Sequence, residues 1–234
     1  MSTPSQYVTV ETSGAEGYSN LKTWLRDVAP VCPGVVRSVL KRQLILACRE
    51  FFEQSFAWTG TMGPINIVEG QNTYALSPFN SYTDVVGVMR IEVNGVPIAP
   101  LYRRPNPIPN SLISPTPVTS PVPSGWYQLR PDIIALYPTP QTPLPNPTQM
   151  MVFVALRPKP SCEQVPLIAQ THFYEAILSG VLYRLLNQPA KPYSNLELSM
   201  YYEKRFRSYI GEYAGRAKTG FNGSAQWNFP RFGK

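Results

Sequence analysis

From Ser19 to Pro30 the apolar positions Leu21, Trp24, Leu25 and Val28 return at helical spacing. Ser19 or Asn20 can cap the first turn of this predicted helix, and Pro30 ends it. A second helix is predicted from about residue 34 to 58, with Val36, Leu40, Leu44, Ala47 and Phe51 on one face and Arg37, Lys41 and Glu50 off it. That stripe reads as core, because burying each such side chain is worth roughly 1.5–3 kcal/mol.

The period then changes. "GPINIVEGQNTYAL" predicts two short strands around Glu69-Gly70. "DVVGVMRIEVNGVPIAPLY" predicts strand, turn and strand, with Asn94-Gly95 at the bend, since both positions tolerate positive φ. "GWYQLRPDIIALYP" predicts a hairpin turning at Arg130-Pro131-Asp132, and "MMVFVALRP" a strand apolar on both sides. Between them lies a proline-rich arm, 103–125, whose prolines oppose helix and sheet interior and favour an extended path. Ile108, Leu112, Ile113 and Val118 have no regular face there on which to bury themselves, so contact with a neighbouring subunit or another protein is expected of them.

Helical spacing returns at "PLIAQTHFYEAILSGVLYRLL", where Phe173, Ile177, Leu178, Val181, Leu182 and Leu185 share a broad face that stops at Asn187-Gln188-Pro189. Pro189 and Pro192 then hold a turn. Ser194-x-x-Glu197 reads as a capping box that opens a last helix striped by Leu198, Tyr202, Phe206, Tyr209 and Tyr213. Neither terminal pair of helices buries its apolar face alone. The expected fold is therefore α+β: a helical body made from the N- and C-terminal helices (19–60 and 165–218), with an inserted antiparallel β domain (61–164) that carries the arm. An N-terminal extension (1–18) precedes it and an extended C-terminal tail (219–234) follows.

Charge and composition narrow the function. Only 15% of residues are charged and 26 are proline, while the net charge is +7 and the pI about 9.4. A surface poor in charge suits contacts, and the basic balance suits an anionic partner. No stretch approaches the roughly 20 apolar residues of a membrane span. The first twenty residues lack a basic start followed by an apolar run, so no signal peptide is expected. Cys32, Cys48 and Cys162 are three and far apart, which fits a reduced, intracellular site of synthesis. His172 is the one histidine; with Glu175 it makes H-x-x-E, too few ligands for zinc. No nucleophile elbow, phosphate-cradling glycine loop, paired carboxylates or aromatic RNA-binding pattern occurs. A non-enzymatic protein with no cofactor is expected. The tail "GFNGSAQWNFPRFGK" sets Trp227, Phe229 and Phe232 among Gly, Asn and Pro230, with Arg231 beside them. Aromatics on a segment without hydrophobic period read as anchors for a partner.

The order of "REFFEQSFAW", "GQNTYAL", "IEVNGVPIAPL" and "FYEAILSGVLYRLLNQPAKPYSNLELSMYYEKRF" resembles the head–tail adaptor (connector) proteins of tailed bacteriophages, including the tail tubular protein A type of short-tailed phages. The resemblance runs from about Leu21 to Arg216, and the join "QPAKPYSN" is its best part. It implies a homo-oligomeric, commonly twelvefold ring at the head–tail junction of a virion, made in the host bacterial cytoplasm. Its partners would be the portal protein and the downstream nozzle or tube proteins. DNA would pass through the ring with transient, non-specific contact, and no membrane is involved. On that reading Trp227, Phe229, Pro230, Arg231 and Phe232 dock on the portal. The alternatives are a DNA-binding regulator, which the pI invites but which needs a polar recognition helix, and another tail-completion or tail-tube protein.

Overall fold

The computed structural model describes residues 17, 19–76, 82–101, 119–120, 122–141, 148–162 and 164–219. Its contacts divide into two compact units. One comprises residues up to Ser19 together with Trp58–His172; the other comprises Asn20–Ala57 and the chain from Phe173 onward. The α+β class is as the sequence predicts.

Among the described residues the first unit holds nine strands: β1 (Thr59–Asn66), β2 (Thr73–Ala75), β3 (Thr83–Val93), β4 (Val96–Pro100), β5 (Thr119–Ser120), β6 (Gly125–Arg130), β7 (Ile133–Tyr137), β8 (Thr139–Pro140) and β9 (Gln149–Pro158). Seven form one sheet in the order β1-β9-β3-β4-β6-β7-β2, and β5 pairs with β8. The strands expected on either side of Glu69-Gly70 are present, but β1 pairs with β9 and β2 with β7 rather than with each other. The β3–β4 turn has Asn94 at φ 49 and Gly95 at φ 79, the geometry that selects Asn-Gly. Gly63 interrupts the β1–β9 register at φ 132, where a Cβ would lie 2.7 Å from the Met150 carbonyl oxygen. Only glycine fits that approach. Ile91, Ile134, Met150, Val152 and Val154 are fully buried in the core of this unit, with Trp126 beside them.

The sheet is mixed, which corrects the expected antiparallel insert: β4–β6 and β5–β8 are parallel. The reason is the connection. Parallel neighbours need a crossover of a dozen residues or more, and the arm between β4 and β6 supplies that length. The arm's end also enters the sheets, at Thr119–Ser120 and at Gly125, where proline is absent. A short helix, α1 (Leu167–Thr171), closes this unit. The Ser19 hydroxyl donates to Gln170 Oε1 (2.7 Å), and the Ser19 amide donates to the Val165 carbonyl (2.8 Å).

The second unit holds α2 (Leu21–Val28), α3 (Arg37–Ser55), α4 (Tyr174–Leu186) and α5 (Leu196–Thr219). Asn20 caps α2 by accepting from the Lys22 amide at 2.9 Å. The predicted core face of α3 is buried at Leu40, Leu44, Ala47 and Phe51, but not at Val36, which sits at the N-cap before the helix and is largely exposed. His172 does not sit inside a helix: α1 ends on it and α4 begins at Tyr174. Phe51 anchors an aromatic cluster with Phe52, Phe173, Phe206 and Tyr213, ring centroids 5.2–6.3 Å from it. Gly180 admits the Phe206 ring, since a Cβ there would come within 2.8 Å of it. The expected cap of α5 also needs correction. The Asn195 side chain accepts from the Leu198 amide at 3.0 Å, while the Ser194 hydroxyl donates back to the Leu186 carbonyl. The helix begins at Leu196, so Asn195 rather than Ser194 stands immediately before it and meets the free amides of the first turn.

Candidate assembly surfaces

The residues singled out for docking lie outside the described residues: Trp227, Phe229, Pro230, Arg231 and Phe232 in the tail, and Ile108, Leu112, Ile113 and Val118 in the arm. His172 and Glu175 do not form the feature their spacing suggested. His172 terminates α1, and Glu175 binds Arg205 Nη2 at 3.0 Å. Among the described residues no group of three or more His, Cys, Asp or Glu side chains could hold a metal.

The structure shows an uncovered surface that the sequence reading passed over. On the first two turns of α5, Leu196, Met200 and Tyr201 are 65%, 62% and 57% exposed. Leu196 and Met200 sit one helical turn apart with Tyr201 next to Met200, and all three lie outside the stripe that runs through Leu198, Tyr202 and buried Phe206. Tyr201 meets Tyr202 edge to face, centroids 5.2 Å apart. The signal was legible: three large apolar residues at i, i+4 and i+5, off the Leu198–Tyr202–Phe206 stripe. In the sheet unit the exposed apolar side chains include Val96 at the hairpin turn, and Met89 and Leu129 on β3 and β6. Nearby, the Val88 amide donates to Gln128 Oε1 at 3.3 Å.

Electrostatics stiffens the helical unit from within. Glu50, nearly buried, accepts from Arg184, from Arg207 (3.1 Å) and from the Tyr183 hydroxyl (3.3 Å). One carboxylate thus ties α3 to α4 and α5. Tyr174 donates to Asp27 and stacks at 4.6 Å on Trp24. Burial and the Asp27 carboxylate push the Tyr174 phenol well above its ordinary range, while the Tyr174 hydrogen bond and Arg26 hold Asp27 below the usual carboxylate value. Burial also pushes the Cys32 thiol up to about 11, so it is a packed thiol rather than a nucleophile. Among the described residues no helix is long and apolar enough to cross a membrane.

The helical unit is gathered from two stretches of chain separated in sequence by the sheet unit, and its last helix leaves large apolar side chains exposed. The chain belongs to the SU10 adaptor protein family, whose profile matches residues 19–227 and so spans both units. It is thereby a bacteriophage adaptor, a structural component of the virion that works with other head and tail proteins. No curated protein matches the chain.

Proposed function

We propose that this protein is a head–tail adaptor of the tail tubular protein A type. Copies of the chain form a twelvefold ring at the head–tail junction, join the portal to the nozzle or tube proteins, and line the channel through which DNA is ejected. The observation that carries this reading is the adaptor-family match across both units. The Leu196–Met200–Tyr201 surface supports it, since side chains that size are costly to leave in water unless a partner covers them. Trp227, Phe229, Pro230, Arg231 and Phe232 serve as the portal-docking anchors. Many tails on one ring engage together, so each contact can be modest. The arm, through Ile108, Leu112, Ile113 and Val118, contacts a neighbouring copy or the next tail protein. A regulator that reads DNA sequence is less well supported, because α5 spends its apolar stripe on the core through Phe206 and Ile210.

Removing everything after Lys218 tests the docking role. The shortened chain is expected to keep its circular dichroism and melting temperature but fail to join portal-containing heads. Normal attachment to heads would refute tail docking. Loss of the fold would show that the tail belongs to its own subunit's core.

A further inference from the structure

The α5 helix leaves one side open well past its apolar patch. At 3.6 residues per turn, Leu196, Met200, Tyr201, Lys204, Ser208 and Gly211 fall within an arc of about 140°, turned away from buried Phe206 and Ile210. All six are exposed. The first turns of this arc carry the large apolar side chains. Farther along, Gly211 holds no side chain, and a Cβ there would meet nothing within 4 Å beyond the helix itself. The arc is thus a lane with room for a second stretch of chain, and it ends on an apolar patch. Glu197, exposed beside that patch, pairs with no cation among the described residues.

The residues that follow α5 match this lane in chemistry and in reach. From Gly220 to Lys234 there is no acidic residue, and Trp227, Phe229, Arg231, Phe232 and Lys234 fall in its second half. Gly220 and Gly223 suit a reversal of direction at the end of the helix. Pro230 favours an extended polyproline-type path, which rises about 3.1 Å per residue and returns to the same edge every third residue. Phe229 and Phe232 share such an edge. Counted from Gly223, Trp227 lies about 12 Å back along the helix, Phe232 about 28 Å and Lys234 about 34 Å. Counted from Thr219 at about 1.5 Å per residue, Gly211 lies about 12 Å back, Met200 about 29 Å and Glu197 about 33 Å. Trp227 therefore comes level with the open space at Gly211, Phe232 with Met200, and Lys234 with Glu197.

We propose that in the free protein the C-terminal tail folds back along its own α5, with Phe229 and Phe232 against the Leu196–Met200–Tyr201 face and Lys234 beside Glu197. The occupant is the chain's own tail rather than a second copy, because a segment tethered to the end of the helix meets the patch at high effective concentration, so weak contacts suffice. The contact does not depend on the portal-docking reading. Its consequence for assembly does. The same aromatics cannot serve α5 and a portal at once, so docking on the portal uncovers the α5 patch for another partner.

The test is methionine-methyl NMR of the full chain with a nitroxide at Gly233→Cys, the three native cysteines being buried. The Met200 signal is assigned through Met200→Leu. It is expected to lose intensity, while that of Met89, exposed on β3 of the sheet unit, does not. Phe229→Ala/Phe232→Ala in the same chain is expected to restore the Met200 signal. When nitroxide-bearing chain without the isotope is mixed with isotope-labelled chain without the nitroxide, Met200 is expected to keep its intensity. An undiminished Met200 signal in the first experiment would overturn the proposal. So would equal losses at Met200 and Met89, the mark of a tail that sweeps without docking. A loss in the mixed sample would make a second copy the occupant, and a loss unchanged by Phe229→Ala/Phe232→Ala would remove the anchors; either result also overturns it. No portal enters these measurements, so portal docking is judged by the truncation experiment alone.

Discussion

Asp27 shows how one side chain sets the entry to the helical unit. It stands on α2, accepts from Tyr174 of α4 and pairs with the adjacent Arg26, so its carboxylate form is favoured on folding. A carboxyl held low in the folded state contributes stability that is present above its unfolded value, near 4, and lost as pH falls through the folded value. Asp27→Asn should therefore lower the urea midpoint at pH 7, and the gap from wild type should close as pH is taken below about 4. A gap that persists at low pH would mean that packing rather than ionisation links α2 to α4. Glu50 links α3 to α4 and α5 through its partners, but Arg184 is 134 residues away, a separation no local pattern reveals.

Among the elements, what was legible followed local rules. Asn94-Gly95 announced its hairpin by backbone chemistry, and the stripe of α3 announced its buried face by period. The parallel β4–β6 pair was not legible, because strand order depends on where a long proline-rich connection leads, and prolines constrain conformation without fixing destination. The start of α5 was misplaced by one residue: Ser194 satisfies the capping pattern in sequence, but Asn195 satisfies it in space. Asn195→Ala should accordingly cost about 1 kcal/mol in chemical denaturation. Ser194→Ala, which loses a longer, partly buried 3.3 Å bond to the Leu186 carbonyl rather than a cap, should cost less. The reverse order would restore the capping box. The apolar patch on α5 was present in the letters as residues off the core stripe; its exposure became evident only once Phe206 and Ile210 were seen to take the core positions.

At the scale of the molecule, the two units partition chemistry as well as chain. The sheet unit is close to neutral and the helical unit carries the charge. The helical unit is also discontinuous: α2 and α3 come from before the sheet, α4 and α5 from after it. That arrangement has a kinetic consequence. Closing a loop costs more entropy as it lengthens, so bringing α3 to α4 is easier once the intervening chain has collapsed into its sheet. A mutation that loosens the sheet core, such as Trp126→Ala, should delay amide protection in α4 and α5 during refolding, as read by pulse-labelled hydrogen exchange. Phe206→Ala should leave the timing in β3 and β9 unchanged, and equal delays in both units would deny this order of events. On the ribosome the wait is imposed by synthesis itself. The apolar face of α3, with Leu40, Leu44, Phe51 and Phe52, emerges first and must remain without its partner until Phe206 is made. At about 5–20 residues per second that interval is on the order of ten seconds, long enough for a nascent helix to need shielding from its neighbours on a crowded polysome.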